Sequence, residues 1–168
     1  VYKRQDNGIG MTEDEVDEYI NQIAFSGAAA FMEQYKDKAS DEQIIGHFGL
    51  GFYSAFMVAS KVRVESKCYG AEKAYAWESE GAEGYTIDEC DKLDFGTKII
   101  LTLKADTDDE KYSDFLAEYK IEELIRKYSD YIRYPIKMKV EHEHEVEQPE
   151  GEKKEPKFEK VRHDEILN

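Results

Sequence analysis

"IIGHFGLGFYSAF", residues 44–56, sets Gly46, Gly49 and Gly51 three and then two positions apart before a stretch able to start a helix. Two readings are open: a cradle for phosphate, or a tight turn between two apolar segments. Glycine permits close backbone approach and positive φ, so the three could aim successive N–H groups at an anion. The segment Phe52-Tyr53-Ser54-Ala55-Phe56-Met57 would add the positive N-terminus of a helix to the same place. Glycine-rich loops are common, however, and the spacing alone favours the plain turn.

Outward from this loop, toward the N-terminus, "DNGIGM" at residues 6–11 is the second informative stretch. Asp6 places an acceptor beside backbone that Gly8 and Gly10 allow to approach a flat ligand. Met11 offers a polarizable side chain to pack on an aromatic face. The set suits a purine. A carboxylate on an exocyclic amine makes a charge-assisted hydrogen bond worth roughly 1.5–3 kcal/mol. The competing reading is a type I turn closing a strand, because Asp-Asn-Gly is ordinary turn chemistry.

Composition narrows the classes. The 168 residues suffice for one domain with a real core plus an appendage. Lys and Arg number 23 against 38 Asp and Glu, a formal charge of −15 that would repel nucleic-acid phosphates over the whole molecule. Cys68 and Cys90 have no metal-ligand spacing and are too few for a disulfide framework, so they read as small core residues in a reducing compartment. No apolar run is long enough to span a bilayer and no signal peptide is visible. These features predict a soluble, cytoplasmic protein with no nucleic-acid or membrane partner. The chain opens on "VYKRQ", polar and cationic, where a buried strand would normally feed the next motif, which predicts a chain that starts inside a domain.

Thr12 and Glu15 form a capping box, and Val16, Tyr19, Ile20, Ile23 and Ala24 follow at helical spacing, with Gly27 ending the helix. A charged, weakly apolar helical stretch continues to the glycine loop. Residues 61–67 and 73–79 alternate around a turn at Gly70 and read as an antiparallel hairpin, with 84–90 as a further strand. Residues 96–104 form another, with Ile99, Leu101 and Leu103 on one face and Thr97, Lys98 and Thr102 among the rest. An amphipathic helix over 115–132 stops before Pro135, and 136–141 reads as a strand. The order predicts an α+β, two-layer sandwich: a mostly antiparallel sheet with helices on one face. The predicted organisation is a domain over 1–140, a charged disordered linker over 141–160, and a short lead over 161–168 toward a further domain. The linker is too poor in apolar residues to offset its ordering entropy, and His142 and His144 in it read as solvated rather than metal-bound.

Taken together, Asp6-x-Gly8-x-Gly10, a helix, a mobile segment, Gly46-x-x-Gly49-x-Gly51 and a strand opening on Gly96-Thr97 resemble a known pattern. It is the ATP-binding fold shared by DNA gyrase, MutL mismatch-repair proteins, histidine kinases and the ninety-kilodalton heat-shock chaperones, the Bergerat or GHKL fold. "GHFGLGFYSAFMVA", "DNGIGMT", "IAFSGA" and Tyr134-Pro135-Ile136 are similar to the chaperone branch, close to its bacterial HtpG type. The resemblance implies that Asp6 accepts from the adenine amino group and that Thr97 reaches the same edge through a bridging water. It implies that Gly10 gives close approach and Met11 lines the base. Gly46, His47, Phe48, Gly49, Leu50, Gly51 and Phe52 would cradle the phosphates through backbone N–H groups, and residues 27–45 would form a lid over ATP.

The family's general-base Glu and its Mg²⁺-holding Asn lie on a helix ahead of the Asp-x-Gly-x-Gly motif, and only five residues precede Asp6, none a carboxylate. No catalytic residue is therefore assigned, and no metal ligand. The first helix carries Tyr19, Asn21, Gln22 and Phe25 where relatives differ, so it is given no sugar or phosphate contact. The resemblance implies the ATP-binding domain of an ATP-dependent stress-response chaperone, with ATP or ADP and Mg²⁺ as cofactors, unfolded client proteins as partners and a homodimer in the full-length protein. This chain would bind nucleotide weakly and hydrolyse negligibly. The alternatives are another ATPase of the same fold group, a histidine kinase or mismatch-repair type, or a non-enzymatic acidic interaction domain whose glycines are only turns.

Overall fold

The computed structural model describes residues 1–21, 50–81, 84–145 and 158–168. The expected lid over 27–45 and the loop glycines Gly46 and Gly49 lie outside them. The described chain divides into two compact units, Val1–Ser113 and Asp114–Asn168. The break falls ahead of the expected boundary at 140.

In the first unit the strands are β1 (Tyr2–Gln5), β2 (Ala59–Lys67), β3 (Ala74–Ser79), β4 (Tyr85–Cys90) and β5 (Gly96–Leu103), all antiparallel in the order β1-β5-β2-β3-β4. The register sets Val62 opposite Leu101 and Ser79, and Val64 opposite Ile99 and Trp77. Because side chains alternate across a strand, that pairing gathers one apolar face. Helix α1 (Glu13–Asn21) covers it, with Val16 fully buried against Val62, Val64 and Trp77. Burying each of these side chains contributes roughly 1.5–3 kcal/mol.

The start of α1 is the expected capping box: Thr12 Oγ1 accepts from Glu15 N at 3.3 Å while Glu15 Oε2 accepts from Thr12 N at 2.8 Å. Trp77 Nε1 donates to Asn21 Oδ1 at 2.7 Å and Tyr85 Oη to Asp17 Oδ1 at 2.9 Å, tying its exposed flank to β3 and β4. A 3-10 turn over Phe52–Ser54 and the four-residue α2 (Ala55–Val58) bring Phe52 and Phe56 edge-on to Trp77 on the same face. The opposite face carries charge: Lys61 pairs with Glu78, and Glu65 with both Arg63 and Lys98. This is the expected two-layer α+β arrangement.

The second unit holds α3 (Glu118–Ser129) and a ribbon of β6 (Lys137–Glu145) paired antiparallel with β7 (Phe158–Ile166). Asn168 closes it, accepting from Ile136 N at 2.7 Å and donating to Ile132 O at 2.8 Å. The ribbon corrects the expected linker over 141–160 at both ends, since 141–145 continue β6 and 158–160 begin β7. Opposite charges across the strands offset the poverty of apolar surface: Glu141 receives Lys160 at 2.8 Å and Arg162 at 3.0 Å. The expected lead over 161–168 is likewise mostly strand. Among the described residues no helix is long and apolar enough to cross a membrane.

Candidate functional site

Asp6 follows the last residue of β1, and its backbone prolongs the ladder, with Asp6 N donating to Thr97 O at 2.9 Å. Its side chain turns back on the same neighbour: Oδ1 accepts from Thr97 N at 3.1 Å and from Gly8 N at 2.8 Å. Two backbone donors fix the plane of the carboxylate. Oδ2 accepts no hydrogen bond from the described residues, and Asp6 is exposed.

Two glycines make this crossing possible. At Gly96 φ is +99° and a Cβ would stand 2.5 Å from Asp6 O. At Gly10 φ is +66° and a Cβ would stand 1.9 Å from Lys67 O, so that strand end and this loop touch backbone to backbone. The contact is completed by Tyr69 N donating to Ile9 O at 2.7 Å.

Ser66, which sequence reasoning missed, joins the pieces. It is fully buried, accepts from Met11 N at 2.9 Å and shares a hydrogen with Thr97 Oγ1 at 3.0 Å. The signal was present in "KVRVESK": alternation puts Val62, Val64 and Ser66 on one face, and a hydroxyl on a buried face needs a partner. Thr97 lies opposite Ser66 and shares the core-facing side with Ile99 and Leu101, a correction to its expected separation from them. Asp6, Gly10, Met11 and Thr97 are thus brought together, while Met11 also packs on the core cluster.

The rest of the predicted site is placed differently or not described. Leu50 and Gly51 are exposed, and the ring of Phe52 packs 5.6 Å from Trp77, leaving its backbone alone for any ligand. Gly51 has an ordinary helical φ of −59°, and a Cβ there would meet nothing within 4 Å. Among the described residues nothing therefore demands glycine at 51. Among the described residues no hydrogen bond joins 50–52 to Asp6, Met11 or Thr97; Tyr53 Oη instead donates to Ile20 O at 2.6 Å. Gly46, His47, Phe48 and Gly49 lie outside the described residues. A cavity of about 430 Å³ opens beside Trp77, lined by Ile20, Tyr53, Phe56 and Tyr85 among others, and no predicted site residue lines it.

Electrostatics away from the site are structural. Burial works to raise the Glu65 carboxyl, and the hydrogen bonds from Arg63 and Lys98 outweigh it, holding the group below its ordinary value. Cys68 and Cys90 are free and half-buried, and burial pushes the Cys90 thiol up, away from a reactive thiolate.

Comparison with known proteins agrees with this fold. Residues 2–97 match the family described as histidine kinase-, DNA gyrase B- and HSP90-like ATPase, and residues 114–166 match the Hsp90 protein family. The chain is 51% identical over 163 residues, 97% of its length, to the chaperone protein HtpG of Bacillus velezensis. It is 56% identical over 135 residues, 80% of its length, to that of Clostridium perfringens, and 48% identical over 163 residues, 97% of its length, to that of Bacillus subtilis. It covers 25%, 22% and 25% of these three proteins and so spans about a quarter of their length. The chain belongs to the histidine kinase-, DNA gyrase B- and HSP90-like ATPases, and within them to the bacterial HtpG type.

Proposed function

We propose that this chain binds an adenine nucleotide through Asp6, Gly10, Met11 and Thr97, with the backbone of residues 46–52 holding the phosphates. The carrying observation is the carboxylate of Asp6, whose Oδ1 is held by two backbone donors while Oδ2 is left to accept from an adenine amino group. Ser66 Oγ accepts from Met11 N and hydrogen-bonds Thr97 Oγ1, with either hydroxyl able to donate. With Ser66 as the donor, Thr97 has its proton for a water bridging to the same edge of the base. Gly10 brings backbone against the ring, and Met11 lines it.

When bound, ATP supplies the phosphoanhydride whose cleavage the family uses, and Mg²⁺ enters with its phosphates. This chain's residues bind and orient the base; none is assigned as general base or metal ligand. The 168-residue chain is therefore expected to bind nucleotide with negligible turnover. In the longer protein, nucleotide binding would close the segment over 27–45, pair two copies, and drive a cytoplasmic clamp on partly folded client proteins.

The test is thermal melting of the chain with and without excess ADP and Mg²⁺, repeated with Asp6→Asn. Asparagine keeps an oxygen for the two backbone donors but puts an amino group where Oδ2 was. The expected outcome is a rise in Tm for the parent chain and at least about a tenfold loss of ADP affinity in the variant, which melts as the parent does without ligand. An ADP shift of the same size in Asp6→Asn, or a cooperative melt that ADP leaves unmoved, would overturn the assignment.

A further inference from the structure

The ribbon of β6 and β7 carries a constellation that nucleotide binding does not use. Its register sets Val140 opposite His163, His142 opposite Val161 and Met138 opposite Glu165. Residues directly opposite share a face, as do residues two apart, so His142, His163 and Glu165 share one side of the ribbon. The two imidazoles lie stacked with centroids 5.0 Å apart and planes inclined by 22°. His142 Nε2 stands 3.5 Å from Glu165 Oε2, and one ligand atom from each of the three residues lies within 4.8 Å of the other two.

We propose that His142, His163 and Glu165 bind a divalent transition-metal ion of the zinc class and so clip β6 to β7. Ligand atoms at tetrahedral zinc, about 2.0–2.1 Å from the metal, stand roughly 3.3 Å from one another. The His142–Glu165 separation already meets that spacing, and the two exposed imidazoles reach the remainder by rotation about χ1 and χ2. Two imidazoles with one carboxylate select zinc, cobalt or nickel over Mg²⁺ and Ca²⁺, which take oxygen ligands. The ion is thereby distinct from any that enters with nucleotide phosphates. Three protein ligands leave a fourth position for water. Neither strand alone supplies the set, so the site exists only when the ribbon is paired in this register. A sequence reading that left His142 in a solvated run could not see His163 and Glu165, which lie 21 and 23 positions further on.

The test is calorimetric titration of Zn²⁺ into the full 168-residue chain, without nucleotide and in excess Mg²⁺ to saturate weak carboxylate sites. Co²⁺ titration followed by visible absorption reports the coordination geometry. We expect one equivalent bound, an intense tetrahedral Co²⁺ band, and at least a tenfold loss of affinity in His142→Ala and in His163→Ala. Imidazole ¹⁵N shifts in the unsubstituted chain make the result independent of whether a variant keeps its ribbon: those of His142 and His163 should move on zinc addition. No uptake, uptake unchanged in both variants, or zinc shifts confined to His47 would overturn the site.

Discussion

Gly10 and Asp6 would carry the proposed site in opposite ways, one by having no side chain and the other by having one oxygen held and one left over. At Gly10 the left-handed φ and the 1.9 Å approach of a would-be Cβ to Lys67 O leave no room for any other residue. Gly10→Ala is therefore expected to lose about 2 kcal/mol or more of stability by urea denaturation, and to lower nucleotide affinity with it. A loss of a few tenths would mean that the loop can move off β2. Asp6, Gly10, Met11 and Thr97 could be proposed from the sequence because their spacing matches a pattern whose chemistry is known. Ser66 was not, because its part depends on β2 and β5 lying side by side, which no local spacing states.

Among elements, β2 shows how one strand serves two environments. Its even positions, Val62, Val64 and Ser66, form the core face, while Lys61, Arg63 and Glu65 join the ionic network on the other. Glu65 has a folded-state pKa below its ordinary value of 4.5, so its pairing stabilises the fold fully above that value. The contribution fades as pH falls through the lower folded-state value. Glu65→Gln is expected to cost about 1 kcal/mol at neutral pH, a difference from the parent that vanishes on acidification below the carboxylate range. An undiminished difference at low pH would assign the loss to packing instead. The hairpin of β2 and β3, strand β5 and the capped start of α1 were legible because alternation or a capping box marks each locally. Strands β1 and β7 were not. "YKRQ" and "FEKVRHDEI" are polar, and each becomes a strand by lying against a partner far along the chain, β5 and β6 respectively.

For the whole molecule, a formal charge of −15 over 168 residues means that compaction works against self-repulsion. The exposed ion pairs contribute little each, so screening them matters less than screening the excess of negative charge. Raising salt from about 0.02 M to about 0.5 M, which shortens the Debye length from tens of ångströms to a few, is expected to raise Tm by a few degrees. A fall would mean that the ionic face of the sheet outweighs the net charge. The same repulsion faces a nucleotide polyanion, so the proposed capture would rely on short-range contacts at backbone and Asp6 rather than on long-range steering. Asp6 is also the rung where β1 ends against β5. An occupant that engaged Oδ2 while Oδ1 accepts from Thr97 N would stiffen this margin of the sheet. Loosening of that margin and departure of the occupant would then become one event, with the four residues of β1 setting how long the proposed site remembers what it has bound.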